Sequence, residues 1–272
     1  MAERRGVERW KPRLGSALTH VWREHCGFRA AEIRNRAIRA SRGDYCVFLD
    51  GDCLARPDFV AAHRRLAERG WFVTGNRALL TQALTDAVLH RESEIEEWGT
   101  ARWIGQRFNG GLNRLAPVLR LPLGPLRKIR PLAWEGARSC NLAIWRSDLD
   151  RVDGFDASFS GWGKEDSDLL VRLLLAGLRR KDGTFATGVL HLWHADTDRS
   201  QLLKNEQRLA QVIESRRVRA DRGISSLDRD AGPAATSQRM AGACDQTATT
   251  TLRTRSGEHG RVGISHTSGD DV

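Results

Sequence analysis

The chain has 272 residues, 40% of them hydrophobic and five of them cysteine, with a formal net charge of +10. That is enough apolar material for one large domain plus appendages, and no apolar run is long enough to cross a bilayer as a helix. The cysteines, at 26, 46, 53, 140 and 244, are odd in number and form no Cys-x-x-Cys pair, which suits a reducing cytosol and argues against zinc or a disulfide framework.

Residues 1–18 are basic and patternless and read as a disordered leader; no apolar segment follows the first charges, as a signal peptide would require. Leu18-Thr19-His20-Val21-Trp22 is a candidate short strand. Ala30, Ile33, Ala37 and Ile38 mark one face of a helix over about 28–41. Tyr45-Cys46-Val47-Phe48-Leu49 reads as a buried strand that ends in Asp50-Gly51-Asp52. Pro57 opens a second helix, which runs to Gly70, and Trp71-Phe72-Val73-Thr74 is a further strand. Helix, strand, helix, strand predicts an α/β sheet covered by helices.

Residues 76–130 are less regular. From Trp103 to Arg130 apolar residues alternate with Arg, Lys, Gly and Pro, and acidic residues are absent. Such a stretch fits either an anionic membrane surface or a solvated basic loop. Cys140-Asn141-Leu142-Ala143-Ile144-Trp145 predicts a strand, with Ser147 as the cap of a short helical turn after it. A helix follows over 166–176, then a strand over 185–193 that closes in His191-Leu192-Trp193-His194. A final amphipathic helix starts near Ser200, with Leu202, Leu203, Leu209 and Ile213 on one side. Residues 228–272 are rich in Gly, Ser, Thr, Ala and Arg and read as a disordered tail.

Three stretches carry chemistry. Asp50-Gly51-Asp52 is one of five Asp-x-Asp triplets in the chain, so the pattern alone means little. Its place at the C-terminal end of an apolar strand singles it out, because ligands of open α/β sheets bind at that edge. Two carboxylates there suit a hard divalent cation bridging to a diphosphate; a polar strand exit is the bland reading. His191 and His194, at the end of the last strand, could complete a metal site begun by Asp52, with Mn²⁺ or Mg²⁺ favoured over soft metals. Gly161-Trp162-Gly163-Lys164-Glu165-Asp166-Ser167-Asp168 reads as a flexible loop entering a helix. On a helical wheel Asp166 shares the inward stripe of Leu169, Leu170 and Leu173, whereas Glu165 and Asp168 point elsewhere. A costly inward carboxylate suggests a purpose, and complementing the helix dipole is the competing explanation.

Together with Ile33-Arg34-Asn35-Arg36-Ala37, Cys140-Asn141-Leu142-Ala143 and Val152-Asp153-Gly154-Phe155-Asp156, these motifs resemble a family 2 glycosyltransferase over residues 19–213. The second half is similar to the Gly-Trp-Gly-x-Glu-Asp domain of galactosyltransferases and chondroitin-type polymerases. The resemblance implies a GT-A (nucleotide-diphospho-sugar transferase) fold, an α/β architecture with a mixed sheet flanked by helices. The domain would run over 19–227, with a donor and metal part at 19–80 and an acceptor and base part at 131–195. It further implies a UDP-sugar donor, with Asp52, His194 and His191 holding Mn²⁺ or Mg²⁺ and with Asp50, Arg34 and Asn35 on the donor. Asp166 would be the catalytic base, Glu165 would hold the acceptor, and Trp162 would belong to a closing loop. Family members begin with an apolar strand of the Val-Val-Ile-Pro-Thr-Tyr-Asn kind. Nothing like it precedes Thr19, so the chain is expected to be truncated at its N-terminus and to lack the first strand or two.

The leading expectation is therefore an inverting, metal-dependent transferase of cell-envelope polysaccharide biosynthesis. Its acceptor would be a cell-surface glycan or glycolipid, and its place the cytoplasm or the inner face of the cell membrane in peripheral contact with anionic lipid. The alternative is an inactive remnant that binds glycan or nucleotide. A basic nucleic-acid-binding protein is the third and has no motif behind it.

Overall fold

Tyr45–Leu49 forms β1, an edge strand of the main sheet: every one of its residues faces Asn141–Trp145, which is β5, in antiparallel register. In this computed structural model the described residues are 12, 18–22, 27–90, 95, 98–195 and 198–227, all within the unit Met1–Ala234. The expected leader, apart from residues 12 and 18, and the expected tail at 228–272 lie outside them.

The main sheet has the order β1-β5-β3-β6, where β3 is Trp71–Thr74 and β6 is Arg179–Asp182. β3 runs antiparallel to β5 and parallel to β6, so the sheet is mixed. A second, three-stranded sheet has the order β2-β7-β4, from Cys53–Leu54, Val189–His191 and Arg77–Leu79. β2 pairs antiparallel and β4 parallel with β7.

Helices cover these sheets. α1 (Ala30–Ala40), α5 (Arg146–Val152) and α6 (Glu165–Leu175) bury Ile38, Leu149, Leu169, Leu170 and Leu173 against Phe72, Leu142 and Ile144. α2 (Phe59–Leu66) places Phe59 beside Cys53, Cys140 and Val189. α3 (Gln82–Leu89) and α4 (Thr100–Phe108) enclose a second core on the small sheet, with Leu84, Trp103, Leu112 and Leu190. α7 (Leu202–Ser215) packs Leu209 and Val212 on Phe159 and Val171. No helix among the described residues is long and apolar enough to cross a membrane.

Asn141 joins the two sheets. Its amide donates to Asn76 O and Thr187 O, and its Oδ1 meets Nε2 of the buried His63 at 3.0 Å. Gly75 allows this, because a Cβ there would lie 2.2 Å from the Asn141 side chain. Burial lowers the His63 pKa to about 4, so the ring is neutral; Nε2 has Asn141 as its partner, and Nδ1 is buried without one.

The α/β class with a mixed sheet and flanking helices agrees with expectation. Several local readings do not. Residues 18–22 have no regular structure. The strand expected over 185–193 is only Val189–His191, because 183–187 is a turn in which Phe185 adopts φ 61°. Ser147 lies inside α5 rather than capping it, and its Oγ accepts from Arg69. Residues 76–130, expected to be irregular, hold β4, α3 and α4.

Candidate active site

The small sheet assembles one wall of a cleft of about 420 Å³. The turn after β1 closes with Cys53 N donating to Asp50 O, and Leu192 N donates to Asp52 O, which ties this turn to the end of β7. Asp52 Oδ2 consequently lies 3.4 Å from His191 Nε2 and 3.2 Å from His194 Nε2. Asp52 and His191 thus offer a carboxylate oxygen and an imidazole nitrogen to a divalent cation, and His194 meets the same carboxylate oxygen from the exposed side. Burial, then the nearby Arg77 charge, lowers the His191 pKa, leaving its ring neutral with a lone pair to offer. Cys53 Sγ also lies within 4.8 Å of ligand atoms on Asp52 and His191. Its hydrogen bond with Cys140 and its burial raise its pKa, so it stays a protonated thiol, and the better set is Asp52 with the two histidines.

The opposite wall is the N-terminus of α6. Arg34 reaches it from α1: its Nη2 is 2.9 Å from Asp50 Oδ1, while Nη1 is 3.4 Å from both Glu165 Oε1 and Asp166 Oδ1. Burial disfavours the guanidinium charge, but these three carboxylates outweigh it and raise the pKa. Asp166 Oδ2 also accepts from Ser139 N at 3.0 Å, so both of its oxygens are oriented. Glu165 is 6% exposed; burial first, and then the Asp166 charge, pushes its pKa up to about 7. Two adjacent carboxyls in unlike environments can divide proton transfer from hydrogen bonding.

The loop between these walls is held from α7. Buried Asn205 donates to Ser160 O and Gly163 O, and Lys164 pairs with Glu206. Gly161 and Gly163 adopt φ of 75° and 102°, and Lys164 enters α6 at φ 73°, a left-handed conformation unusual for a residue with a side chain. Trp162 lines the cleft with the Arg199 guanidinium 5.1 Å from its ring.

Of the nine residues expected in the site, Asp166, Glu165, Trp162, Asp50, Arg34, Asp52, His194 and His191 line this one cleft. Asn35 does not. It is fully buried, its Nδ2 donating to Phe155 O and its Oδ1 accepting from Phe155 N, so it clamps backbone rather than facing a donor. The wheel reading of α6 also needs correction. Asp168 is the fully buried carboxylate, paired with the equally buried Arg172 at 2.7 Å, while Asp166 stands at the rim. Sequence reasoning missed Arg77, Arg138, Phe28 and Arg199, which also line the cleft. Nothing in their local sequence marks them; only folding brings them to this surface.

An α/β protein with a histidine-flanked Asp-x-Asp on one wall and paired carboxyls on the other is the class that fold and site define. Residues 13–117 match glycosyl transferase family 2, and residues 128–196 match the N-terminal domain of galactosyltransferase. The two matches cover successive parts of the chain, so the likeness is to a family 2 glycosyltransferase with a galactosyltransferase-type second part. It is 28% identical over 172 residues to validoxylamine A glucosyltransferase of Streptomyces hygroscopicus subsp. jinggangensis, a match spanning 59% of this chain and 39% of that relative. It is 45% identical to human chondroitin sulfate synthase 3 over 51 residues, which are 19% of this chain and 6% of that protein. The crystal structure of GalNAc-T7 with UDP, GalNAc and Mn²⁺ superposes with a TM-score of 0.48 at 16% identity, covering 76% of this chain and 39% of that one. The chain thus spans about two fifths of the length of the curated glucosyltransferase it matches.

Proposed function

We propose that the protein transfers a sugar, with inversion, from a UDP-sugar to a hydroxyl of a cell-surface glycan or glycolipid. The observation that carries this reading is the Asp166 carboxylate, held by Ser139 N–H and Arg34 at the rim of the cleft whose other wall is Asp52 with His191 and His194.

Asp166 accepts the acceptor hydroxyl proton as that oxygen bonds to the anomeric carbon, whose bond to the diphosphate oxygen breaks. Glu165, with its raised pKa, orients the acceptor by hydrogen bonding. Arg34 and Asp50 lie where the donor's ribose or sugar would contact the turn after β1. Asp52, His191 and His194 would hold Mn²⁺ or Mg²⁺, which when bound supplies positive charge against the departing diphosphate. Trp162, on the loop tethered by Asn205, covers donor and acceptor and keeps water from them.

The test is UDP release from a panel of UDP-sugars, with and without glycan acceptors and with Mn²⁺ or EDTA. Release that needs both acceptor and divalent cation supports the reading. Absence of UDP binding by the folded protein in Mn²⁺ would sink it.

A further inference from the structure

Residues 98–134 contain no Asp or Glu and seven cations. The structure divides this run. Its first part sends Trp103, Leu112 and Val118 into the second core, each at most 3% exposed. Its second part is turned inside out around the 3₁₀ turn Gly124–Lys128. There the charged residue is the buried one: Arg127 donates to Asp182 O, Thr184 O and Leu121 O at 2.7–3.1 Å. Leu121 N donates to Phe185 O, a second staple to the β6–β7 connection. With Arg127 turned inward, Leu126 and Ile129, three apart and therefore on one side of a 3₁₀ turn, point out. They are 60% and 68% exposed, between Leu121 at 48% and Leu132 at 68%. Four aliphatics within twelve residues held out to water by buried hydrogen bonds are not scattered surface apolars.

The charges around them are mainly positive. Arg130 and Arg179 are exposed, and neither has an ion-pair partner among the described residues. Arg180, whose N–H donates to Pro131 O, adds a third cation; burial lowers its pKa, with the Asp182 charge opposing that and the Arg130 charge adding to it. Three carboxylates lie near this face: Glu68 is held by Lys128 and Lys181, Asp182 accepts from Thr184 N, and exposed Glu135 acts on Arg180 together with Asp182.

We infer that residues 121–132, rimmed by Arg130 and Arg179, dock the protein on an anionic phospholipid bilayer. The leucines and isoleucine enter the headgroup boundary while the guanidiniums meet phosphates. The net positive charge of this face, with Arg130, Arg179, Arg180, Lys128 and Lys181 against Glu68, Asp182 and Glu135, complements an anionic surface beneath the exposed aliphatics. The inference stands apart from the transferase reading, because none of residues 121–132, Arg130 or Arg179 lines the cleft.

The test is cosedimentation of the full chain with vesicles of phosphatidylglycerol and phosphatidylcholine, against phosphatidylcholine alone, in low and high salt. The wild type should sediment with the anionic vesicles at least tenfold better, and salt should weaken the binding. Leu126→Asn with Ile129→Asn should cut it about tenfold with an unchanged melting temperature. If that pair fails to fold, Arg130→Glu at its exposed site should give a similar loss. Failure of the folded wild type to bind, equal binding to both vesicle types, or undiminished binding by the variants would overturn the inference. So would a concentration-dependent dimer that the Leu126/Ile129 variant abolishes, since a second copy would then be the occupant.

Discussion

Arg34 Nη1 stands 3.4 Å from Asp166 Oδ1, joining a residue near the start of α1 to one at the start of α6 across 132 positions of sequence. The guanidinium neutralises part of the charge on α6 and, with Ser139 N–H, sets the direction in which Asp166 faces the cleft. Asp166→Asn keeps this geometry and removes the proton acceptor. Acceptor-dependent UDP release should fall by about 10²–10⁴-fold, while Mn²⁺-dependent UDP binding by calorimetry stays within about twofold. Equal transfer by the variant would remove Asp166 from the role of base.

The Asp52, His191 and His194 cluster makes a separate claim. Asp52→Ala and His194→Ala should each weaken Mn²⁺-dependent UDP binding by at least about tenfold, while EDTA should bring the wild type down to the level of the variants. Since His191 is buried and His194 is half exposed, His191→Ala should also lower the melting temperature, and His194→Ala should not. Calorimetry and thermal melts on the same samples separate these effects.

Glu165 gives a pH dependence of definite sign. Its pKa rises from the usual carboxylate value to about 7 on folding, so its stabilising contribution is complete below pH 4.5 and is lost as pH climbs through about 7. Glu165→Gln, which cannot ionise, should therefore match the wild type at pH 4.5–5. By pH 8 it should be the more stable by up to ~3 kcal/mol in urea titrations. A stability difference that does not grow with pH would show that the native carboxyl is ionised throughout.

Asp168 and Arg172 are both fully buried, and Arg172 also donates to Val152 O and Gly154 O. Breaking such a pair leaves one charge in the core without its counterion. Arg172→Met should cost roughly 3–5 kcal/mol in equilibrium denaturation. Adding Asp168→Leu should recover at least about 1 kcal/mol of that, a coupling that a double-mutant cycle would measure.

How much of this was legible without coordinates depends on sequence separation. β1, β3, β5, α1, α6 and α7 were readable because each is long enough to show its period, and Asp50-Gly51-Asp52, the Gly-Trp-Gly loop and the His191/His194 pair are contiguous strings. β2 and β4, at two or three residues, are too short to carry a period, and β7 is a three-residue part of the strand expected over 185–193; together they position the whole histidine wall. Asn35 looked like a binding residue because its motif neighbours Arg34; its one-residue offset on α1 turns it to Phe155 instead of the cleft.

The amino-acid sequence by itself therefore determined the α/β class, the family resemblance and eight of the cleft's chemical groups, because those follow from local periodicity and short motifs. Only tertiary structure decided that Glu165 and Asp168 are buried while Asp166 stands at the rim. Helical phase alone put Asp166 inside, whereas Arg172 one turn on from Asp168, and Arg34 arriving from α1, put Asp168 in the core and left Asp166 at the edge. A buried charge goes where its counterion is, and that counterion's place is settled by packing between elements far apart in the chain.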